Sequence, residues 1–300
     1  MSKHAYLIIA HADFDQLAML LSCLDDARND IFLHIDKKAK CDFGAMTANI
    51  RHSNVYFTKR CKVNWGGYSL IDSELILLEA ATQQGEYIRY HLLSGVDFPL
   101  RTQDEIHQFF DSHENVEFLD CSYSRDPEDL WFADRIRYFY PFQECFTRNN
   151  LLGRVLRKGF LCVQKCLKVD RLRKSDMVFG IGSNWFSITD RFARHVVSQK
   201  KAIHKQFHSG LCVDELFLPW VYLHWENPNE RYTGGRSDHP YIEKGCFDIC
   251  RAIDFTRGCP YTYTEEDYDM LMETGCLFAR KIYYQSAPNL VRRIMEKVGS

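Results

Sequence analysis

No stretch of this sequence is long and apolar enough to cross a membrane, which takes about 20 apolar residues. The first apolar run, Tyr6 to Ala10, has only the length of a β-strand, and no secretory segment precedes it. The 12 cysteines in 300 residues are too sparse for the disulfide scaffold of a small secreted protein. These absences predict a cytoplasmic protein with reduced thiols.

The sequence also lacks a strong excess of either charge. Its 38 Lys and Arg against 40 Asp and Glu leave a net charge of −2, so we expect no extended basic groove and no nucleic-acid partner. Hydrophobic residues make up 46% and charged residues 26%, which is ordinary globular usage and excludes widespread disorder. The pairs Cys162/Cys166 and Cys246/Cys250 have helical spacing but no zinc-site partners at usable spacing, so no metal is expected there.

Three common catalytic motifs are absent. No G-x-G-x-x-G follows the first predicted strand, which argues against a dinucleotide fold of that type. There is no Walker loop for a nucleoside triphosphate, and the segment GIGSNW has the wrong spacing for the G-x-S-x-G turn of a serine hydrolase.

Two D-x-D triplets, at residues 13–15 and 267–269, could in principle hold a diphosphate through a divalent metal. Each one opens a predicted helix, where acids suit the N-terminal dipole, so we predict helix-start acids rather than metal ligands. The strand end where a metal motif would be expected, FLDCS, has the single acid Asp120. Without a metal, a departing diphosphate must be neutralised by arginine and lysine.

The first half of the chain alternates short apolar runs with amphipathic stretches, as strands and helices do. Predicted strands are AYLIIA, DIFLHID, NVYFTK, YIRYHLLSG and NVEFLDC. Predicted helices start near Asp13 as a cap, end at Gly85, and open on a capping box of Thr102 and Glu105. This order predicts an α/β fold with a mostly parallel sheet and ligands at the carboxyl ends of its strands: IAHADF, HIDKKA, LLSGVDFPL and LDCSYS.

The middle of the chain is basic. Residues 148–174 hold nine Lys or Arg and one acid, Asp170, and one helical face collects six apolar side chains: Leu152, Val155, Leu156, Phe160, Val163 and Leu167. Two interpretations stay open. The segment is either a surface helix with a solvated basic side, or a basic amphipathic helix over 150–168 that rests on an anionic membrane or binds a charged partner.

The rest of the second half is less regular. MVFGIGSNWFSIT predicts a strand, a tight glycine turn and a second strand, while DRFARHVVSQ, VDELFLPWVYL and PNLVRRIMEKVG predict helices. No repeat or linker divides the chain. We therefore predict one domain over 1–300.

Seven segments occur in the order found in the core-2/I-branching β-1,6-N-acetylglucosaminyltransferases, glycosyltransferase family 14, which also contains the peptide O-xylosyltransferases. They are LHIDKKA, NWGGYSLIDSELILLEA, LLSGVDFPLRT, GSNWFSIT, VDELFLPWV, RGCPYTYTEED and LFARKI. The sequence therefore resembles that family over nearly its whole length.

This resemblance implies a GT-A-like fold with a Rossmann-like, nucleotide-sugar-binding half at 1–125 and a mixed half at 126–300 that binds the acceptor and the diphosphate. It also implies an inverting, metal-independent transfer of a sugar, N-acetylglucosamine first of all, from a UDP-sugar to a glycan hydroxyl. Neither a cofactor nor a metal is expected beside the UDP-sugar donor. A lipid-linked oligosaccharide would suit a cytoplasmic enzyme at the inner face of a membrane.

The resemblance also implies the reacting groups. Glu215, in VDELF, matches the family's catalytic base, which takes the proton of the acceptor hydroxyl. Asp214 beside it would bind acceptor or hold a loop. Lys281, in LFARKI, matches the family's phosphate-binding lysine, with Arg280 as a possible substitute and Arg257 near its phosphate-binding arginine. Early helix acids and solvated surface cations are the alternatives.

The donor pocket and the acceptor site are assigned to six further residues. For the donor these are Asp36 and His11 at strand ends, with Asp97 in SGVDFPL; for the acceptor they are Ser183, Trp185 and Arg135. Structural roles compete at each of them: His11 as a structural histidine, Asp97 anchoring its own turn, and Trp185 packing in the core. Trp65 is predicted to be structural, because the paired glycines after it imply a close backbone approach.

Three other functions stay open. The same fold could use another donor, such as UDP-xylose. Glu215 could serve with a second acid in a glycosidase, which needs two carboxylates. The chain could also be a non-catalytic module that binds a nucleotide sugar.

Overall fold

The computed structural model describes residues 3–124, 131–146, 149–173, 178–234 and 239–299. Its first part alternates strands and helices as the apolar pattern predicts. The elements are β1 (His4–Ala10), α1 (Phe14–Cys23), β2 (Asn29–Ile35), α2 (Phe43–Thr47), β3 (Asn54–Phe57), α3 (Ser69–Gln84) and β4 (Arg89–Ser94).

The four strands pair in parallel, in the order β4-β1-β2-β3. Strands β1 and β2 are continuous apolar runs because both of their faces are covered, which is typical of a parallel sheet with helices against it. Helix α3 packs on both strands. The carboxyl ends of β1 and β2 therefore meet at one edge of the sheet, where Ala10 pairs with Ile35.

The next part of the chain completes this sheet and starts a second one. Its elements are β5 (Phe98–Pro99), α4 (Gln103–Asp111), β6 (Val116–Leu119), β7 (Ser122–Ser124), α5 (Asp134–Arg137), α6 (Leu151–Cys166), β8 (Phe179–Ile181), β9 (Phe186–Ile188), α7 (Asp190–Ser198) and α8 (Lys200–Phe207).

The last part contributes the remaining strands and the carboxyl-terminal helix. Its elements are α9 (Asp214–Leu223), β10 (Glu230–Arg231), α10 (Lys244–Asp248), β11 (Arg251–Ile253), a 3-10 turn (Glu265–Asp267), α11 (Tyr268–Glu273), β12 (Phe278–Arg280) and α12 (Pro288–Val298). Among the described residues, seven strands form the large sheet in the order β10-β6-β9-β4-β1-β2-β3, and β11, β12 and β5 form a smaller one. The predicted α/β class with a mostly parallel first half is confirmed.

The segment MVFGIGSNWFSIT contains two strands, as predicted, but these strands do not pair with each other. Strand β8 pairs with β7, whereas β9 inserts antiparallel between β4 and β6. Gly182 explains the separation, because a Cβ there would overlap the Asp120 carbonyl at the end of β6. The loop between β8 and β9 thus crosses the end of the large sheet at close range.

Helix starts were predicted with mixed success. The capping box of α4 is present, since Thr102 accepts from the Glu105 amide and Glu105 accepts from the Thr102 amide. Asp13 occupies the N-cap position of α1, but its φ of 52° places it in the left-handed region, and its side chain accepts no capping hydrogen bond. The prediction of Asp13 as a capping side chain is therefore wrong.

Helix α6 turns its apolar face away from the protein. The six predicted apolar side chains form a helical face, but all six are exposed. The basic residues Arg154, Lys158, Lys165 and Lys168 are exposed as well, as both interpretations of this segment predict. No helix among the described residues is long and apolar enough to span a membrane.

Candidate functional site

A cavity of about 470 Å³ lies at the carboxyl ends of β1 and β2, as parallel α/β sheets lead one to expect. It brings together His11 and Asp36, two of the predicted donor-site residues. The other lining residues are Ile9, Lys38, Ala39, Val63, Asn64, Trp65, Leu70 and Phe146. The wall is mainly apolar with a few polar groups, which suits a heterocyclic base and its ribose.

Asp36 is held firmly at the mouth of this cavity. Its Oδ1 accepts from the Lys38 amide at 2.8 Å, and Lys38 Nζ lies 3.4 Å from its Oδ2. Arg60 fixes the same strand end, since its guanidinium donates to the carbonyls of Ile35, Asp36 and Ala39. His11 is exposed beside it. The carboxylate therefore has one ordered orientation before any ligand arrives.

The loop before α3 forms the opposite wall. Trp65, which the sequence predicts to be structural, has a side chain that is 55% exposed and lines the cavity. The close backbone approach expected of the glycines is present: Gly66 has a φ of +71°, and a Cβ at Gly67 would overlap the Glu144 carboxylate. Glu144 also accepts from the Ser69 amide at 2.9 Å, which satisfies the start of α3 from another segment.

Glu215 stands in the first turn of α9 and is 40% exposed. Arg135, on α5, donates from Nη1 to Glu215 Oε2, so the structure brings these two predicted residues into direct contact. The Arg135 guanidinium also lies 5.1 Å from the ring centroid of Trp131, which is 74% exposed. An accessible carboxylate thus lies close to an exposed aromatic face, an arrangement that suits a sugar acceptor.

Asp214 has a different environment from its neighbour. Its Oδ1 is buried without a hydrogen-bond partner among the described residues. Burial, and then the charge of Glu215, raise the pKa of Asp214 to about 7. The fully buried Glu74 on α3 also has both oxygens unpartnered within the described chain, and burial followed by the charge of Asp214 raises its pKa well above the usual value. The Asp214 carboxyl group is therefore only partly ionised near neutral pH.

Lys281 follows β12 directly and is partly exposed. No carboxylate within the described ranges forms an ion pair with its Nζ. Burial, then the charge of Arg280, lower the pKa of Lys281, while Asp97 opposes them. An ammonium in such surroundings gains from binding an anion.

Arg280 and Asp97 are turned inward toward each other. Arg280 Nε lies 3.1 Å from Asp97 Oδ1, and both side chains are almost inaccessible to water. The Ser94 amide donates to Asp97 Oδ2, so Asp97 also anchors its own turn. Burial raises the pKa of Asp97 although Arg280 counteracts it. The pair supports the loop next to Lys281 rather than presenting free charge.

Within the part of the chain that the structure describes, Arg257, unlike Lys281, forms ion pairs with neighbouring carboxylates. Its Nε donates to Asp254 and its Nη1 donates to Asp267 at 2.8 Å. Its guanidinium also lies 4.3 Å from the Tyr241 ring and 4.1 Å from the Tyr261 ring. The backbone places it near Lys281, since the Lys281 amide donates to the Tyr261 carbonyl at 3.4 Å.

The loop between β8 and β9 connects Glu215 to the cations. The Gly182 amide donates to the Glu215 carbonyl at 3.0 Å, and the Ser183 amide donates to Asp120 Oδ2 at the same distance. Trp185 is buried, with the Arg280 guanidinium 4.0 Å from its ring centroid. Of the two interpretations of Trp185, core packing describes its surroundings. One loop thereby joins the carboxylate side of the site to the side that carries Lys281.

The acids of the two D-x-D triplets are placed as helix-start residues. Asp13 and Asp15 flank the first residue of α1. Asp267 caps the turn at Thr264 and pairs with Arg257, and Asp269 lies 3.2 Å from Arg293. Within the described ranges, no group of three His, Cys, Asp or Glu side chains could hold a metal ion.

Sequence reasoning missed three residues of the site: Trp131, Glu144 and Glu74. Trp131 stands four residues before Arg135 in WFADRIRYFY, but the sequence does not distinguish an exposed aromatic from a core one. Glu144 reaches the α3 start across 75 positions, and Glu74 lies on the buried side of a helix. No local pattern carries either of these long-range placements.

The comparisons with known proteins agree with this arrangement of segments. The family model described as "Core-2/I-Branching enzyme" matches residues 4–234. Mouse xylosyltransferase 2 is 26% identical over 200 residues, which cover 64% of this chain and 21% of that protein. Human xylosyltransferase 1 is 25% identical over 215 residues, 68% of this chain and 20% of that protein. The chain thus spans about a fifth of the length of these curated relatives.

Two solved structures match this chain at low identity and low overlap. Mouse xyloside xylosyltransferase 1 in its apo form is 13% identical, with a TM-score of 0.32 over 72% of this chain and 81% of that chain. Core-mannan synthase A from Aspergillus fumigatus, in an Mn/GDP form, is 12% identical, with a TM-score of 0.33 over 74% of this chain and 69% of that chain.

Proposed function

The chain belongs to the core-2/I-branching enzyme family of glycosyltransferases, and from that premise we propose that it transfers a sugar from a UDP-sugar to a glycan hydroxyl. The family membership and the sheet order together establish a GT-A-like α/β fold. The observation that carries the proposal is the set of contacts made by the β8–β9 loop. The Gly182 amide donates to the carbonyl of partly exposed Glu215, and Trp185 packs against Arg280, the neighbour of Lys281.

Glu215 is the proposed general base. It takes the proton of the acceptor hydroxyl as the oxygen attacks the anomeric carbon, and the configuration at that carbon inverts. Arg135 holds the carboxylate in one orientation before acceptor binds. Trp131 then offers its exposed face to the apolar side of the acceptor ring. Asp214 supports the turn below Glu215, and Ser183 shapes the wall formed by the β8–β9 loop.

Lys281 is the proposed partner of the departing diphosphate. The bond between the sugar and UDP breaks with growing negative charge on the phosphate, and an ammonium already in place stabilises that charge. Arg257, the second predicted phosphate ligand, is held in position by two carboxylates, which leave it less positive charge to offer than Lys281. Arg280 and Asp97 form the buried support beneath Lys281. In this proposal no divalent ion is required.

The cavity at the ends of β1 and β2 is the proposed nucleotide pocket. Its apolar wall suits uracil, and Asp36 is placed to accept hydrogen bonds from the base or the ribose. His11 and Trp65 line the same space. The donor sugar would then extend toward Glu215.

N-acetylglucosamine is the first donor sugar we propose, with a β-1,6 linkage as the resemblance implies. A second candidate has independent support, because the curated relatives that match are xylosyltransferases by name. UDP-xylose is therefore the alternative donor. A module that binds a nucleotide sugar without turnover is the third possibility.

The acceptor we propose is a glycan carried on a lipid, and the location is the cytoplasm, peripherally at the inner face of a membrane. No disulfide joins any of the twelve cysteines, all of which are described, and this supports a reducing compartment. Helix α6 supplies the membrane argument, which is developed below.

Release of UDP from a panel of UDP-sugars tests the proposal. We expect turnover with UDP-N-acetylglucosamine, and we expect Glu215→Gln to lose it while still binding UDP. Glu226→Gln, at another exposed glutamate, serves as the matched control and keeps activity. Turnover only with UDP-xylose would show that the donor is UDP-xylose and not UDP-N-acetylglucosamine. Binding without turnover, or glycoside cleavage without UDP release, would refute the transferase function.

A further inference from the structure

Helix α6 contacts the rest of the protein through its polar side. Gln164 donates to the Phe139 carbonyl at 2.9 Å and accepts from the Phe139 amide at 2.8 Å. Gly153 packs so closely on Phe146 that a Cβ would collide with the ring. Arg157 Nη1 lies 3.4 Å from Gln143 Oε1. The side of α6 that is normally apolar in a globular protein is therefore built from Gly, Gln and Arg.

The apolar side of α6 faces outward. Seven large apolar side chains between residues 151 and 167 are exposed, with accessible fractions from 37% to 73%: Leu151, Leu152, Val155, Leu156, Phe160, Val163 and Leu167. Six of them follow the spacing of a single helical face. Soluble proteins rarely leave an apolar stripe of this length uncovered, so this face has an occupant.

Basic side chains lie along the flank of the same helix. Arg154, Lys158, Lys165 and Lys168 are exposed, and residues 151–166 contain no acid. Two copies of this face packed together would bring the two basic flanks near each other, which disfavours self-association. An anionic lipid surface satisfies both features at once, since acyl chains receive the apolar stripe and headgroups pair with the cations.

We propose that α6 lies in the interface of an anionic bilayer and that the acceptor is consequently lipid-linked. The second part of this inference rests on the proposed transferase function, and the first part does not. The stripe Leu152, Val155, Leu156, Val163 and Leu167 enters the acyl boundary, and the polar side of α6 stays against the protein.

The contacts of α6 place the acceptor site next to that surface. Lys165 Nζ, on α6, lies 3.7 Å from Asp134 Oδ2, and Arg137 Nε lies 3.6 Å from Oδ1 of Asp170, which follows the end of α6. Both Asp134 and Arg137 belong to α5, the helix that carries Arg135 and its contact with Glu215. A bilayer under α6 therefore lies beside the element that positions the catalytic base, so an acceptor anchored in the bilayer reaches Glu215 without leaving it.

Vesicle sedimentation tests the docking directly. The full chain is mixed with vesicles of phosphatidylcholine alone or with 30% phosphatidylglycerol, a composition of our choosing on the order of the anionic content of biological membranes. We expect binding to the anionic vesicles that falls at least tenfold in Val155→Asp/Val163→Asp and falls similarly in Arg154→Glu/Lys158→Glu. A single basic side chain near such a surface contributes about fivefold in affinity.

A charge-matched control separates the face from overall charge. Gln108→Asp/Asn115→Asp adds two negative charges at exposed positions outside α6, which is the same change in net charge as in Val155→Asp/Val163→Asp, and it should bind the vesicles as the wild type does. All of these changes are at exposed positions, so circular dichroism and thermal melting should match the wild type. Equal binding by the wild type and the α6 variants, or no binding by either, overturns the proposal. A dimer that the α6 variants dissociate, without vesicle binding, also overturns it.

Activity measurements keep the two proposals distinguishable. On a soluble glycan acceptor the α6 variants should keep wild-type rates, and on the same glycan carried by a lipid in anionic vesicles they should lose at least tenfold in kcat/KM. Vesicle binding without any UDP-sugar turnover would sink the transferase function and leave the docking intact. Turnover that is equally fast on both acceptors in all variants would refute the proposal that the acceptor is lipid-linked.

Discussion

The sequence predicts that Lys281 and Arg257 both bind the diphosphate, but the two side chains have different partners in the structure. Arg257 donates to two aspartates and lies between two tyrosine rings, whereas Lys281 has no carboxylate partner among the described residues. An ion pair already formed leaves little net attraction for a phosphate. Sequence could nominate both residues, but only the folded positions of Asp254 and Asp267 distinguish them.

Trp131 should bind acceptor through its ring. We predict that Trp131→Ala raises the acceptor KM roughly tenfold, about 1.4 kcal/mol, with kcat nearly unchanged because the ring contributes to binding rather than to chemistry. Steady-state kinetics at saturating donor measure the two constants. Trp131→Phe keeps an aromatic face and should recover most of the affinity, whereas equal KM values in all three proteins would remove Trp131 from the site.

Asp214 should make stability depend on pH. Its pKa is raised to about 7 in the folded chain, whereas an unfolded aspartate titrates near 3.9. The unfolded state therefore loses its proton first, and the wild type loses unfolding free energy as pH rises from about 4 to 7, by at most about 4 kcal/mol. Asp214→Asn lacks this titration.

Chemical denaturation of the wild type and Asp214→Asn at pH 4.5, 6 and 8 measures the effect; these values bracket the expected window of about 4 to 7. The stability difference between the two proteins should shift in favour of the variant as pH rises. A difference that stays constant over this range would mean that Asp214 is ionised in the folded state at all three values.

At the scale of elements, periodicity predicted the parallel part of the fold and local capping predicted α4. Strands β1 and β2 and helix α3 carry strong repeating signals, so their type follows from sequence. The pairing partners of β8 and β9 do not follow from the sequence, because two short strands beside a glycine are compatible with a hairpin as well as with separate partners. The sequence did not predict that the apolar face of α6 points outward, because helical spacing of apolar residues does not show which part of the protein covers them.

Glu144 should couple the start of α3 to the cavity. We predict that Glu144→Ala lowers the unfolding free energy by about 1 kcal/mol, the usual cost of losing a helix cap, because the Ser69 amide loses its acceptor. UDP affinity should fall as well, because Asn64, which lines the cavity, loses the hydrogen bond that its Nδ2 donates to Glu144 Oε2. Calorimetry measures the affinity and denaturation measures the stability.

Thr102→Ala provides the matched control for that prediction. It removes a cap from α4, which does not line the nucleotide cavity. The control should lose a similar amount of unfolding free energy, and its affinity for UDP should stay unchanged. If both variants bind UDP as the wild type does, Glu144 contributes to folding alone.

At the scale of the whole molecule, the candidate site assembles from positions distant in sequence. His11 and Asp36 come from the first parallel strands, Arg135 and Glu215 from helices of the second half, and Lys281 from the end of the small sheet. The order of family-like segments predicted these residues as a set. Arg135 contacts Glu215 directly, and the β8–β9 loop contacts both Glu215 and Arg280, an arrangement that no local pattern encodes.

UDP release in the presence of excess EDTA tests the central claim most directly, namely that Lys281 takes the place of a divalent ion behind the leaving group. We predict full turnover by the wild type under chelation. Lys281→Met should lose at least about 100-fold in kcat, Lys281→Arg should retain part of the activity, and Lys244→Met, which removes an exposed lysine elsewhere, should be unaffected. Turnover that stops with EDTA and returns with manganese, or a Lys281→Met variant as fast as the wild type, would contradict the account.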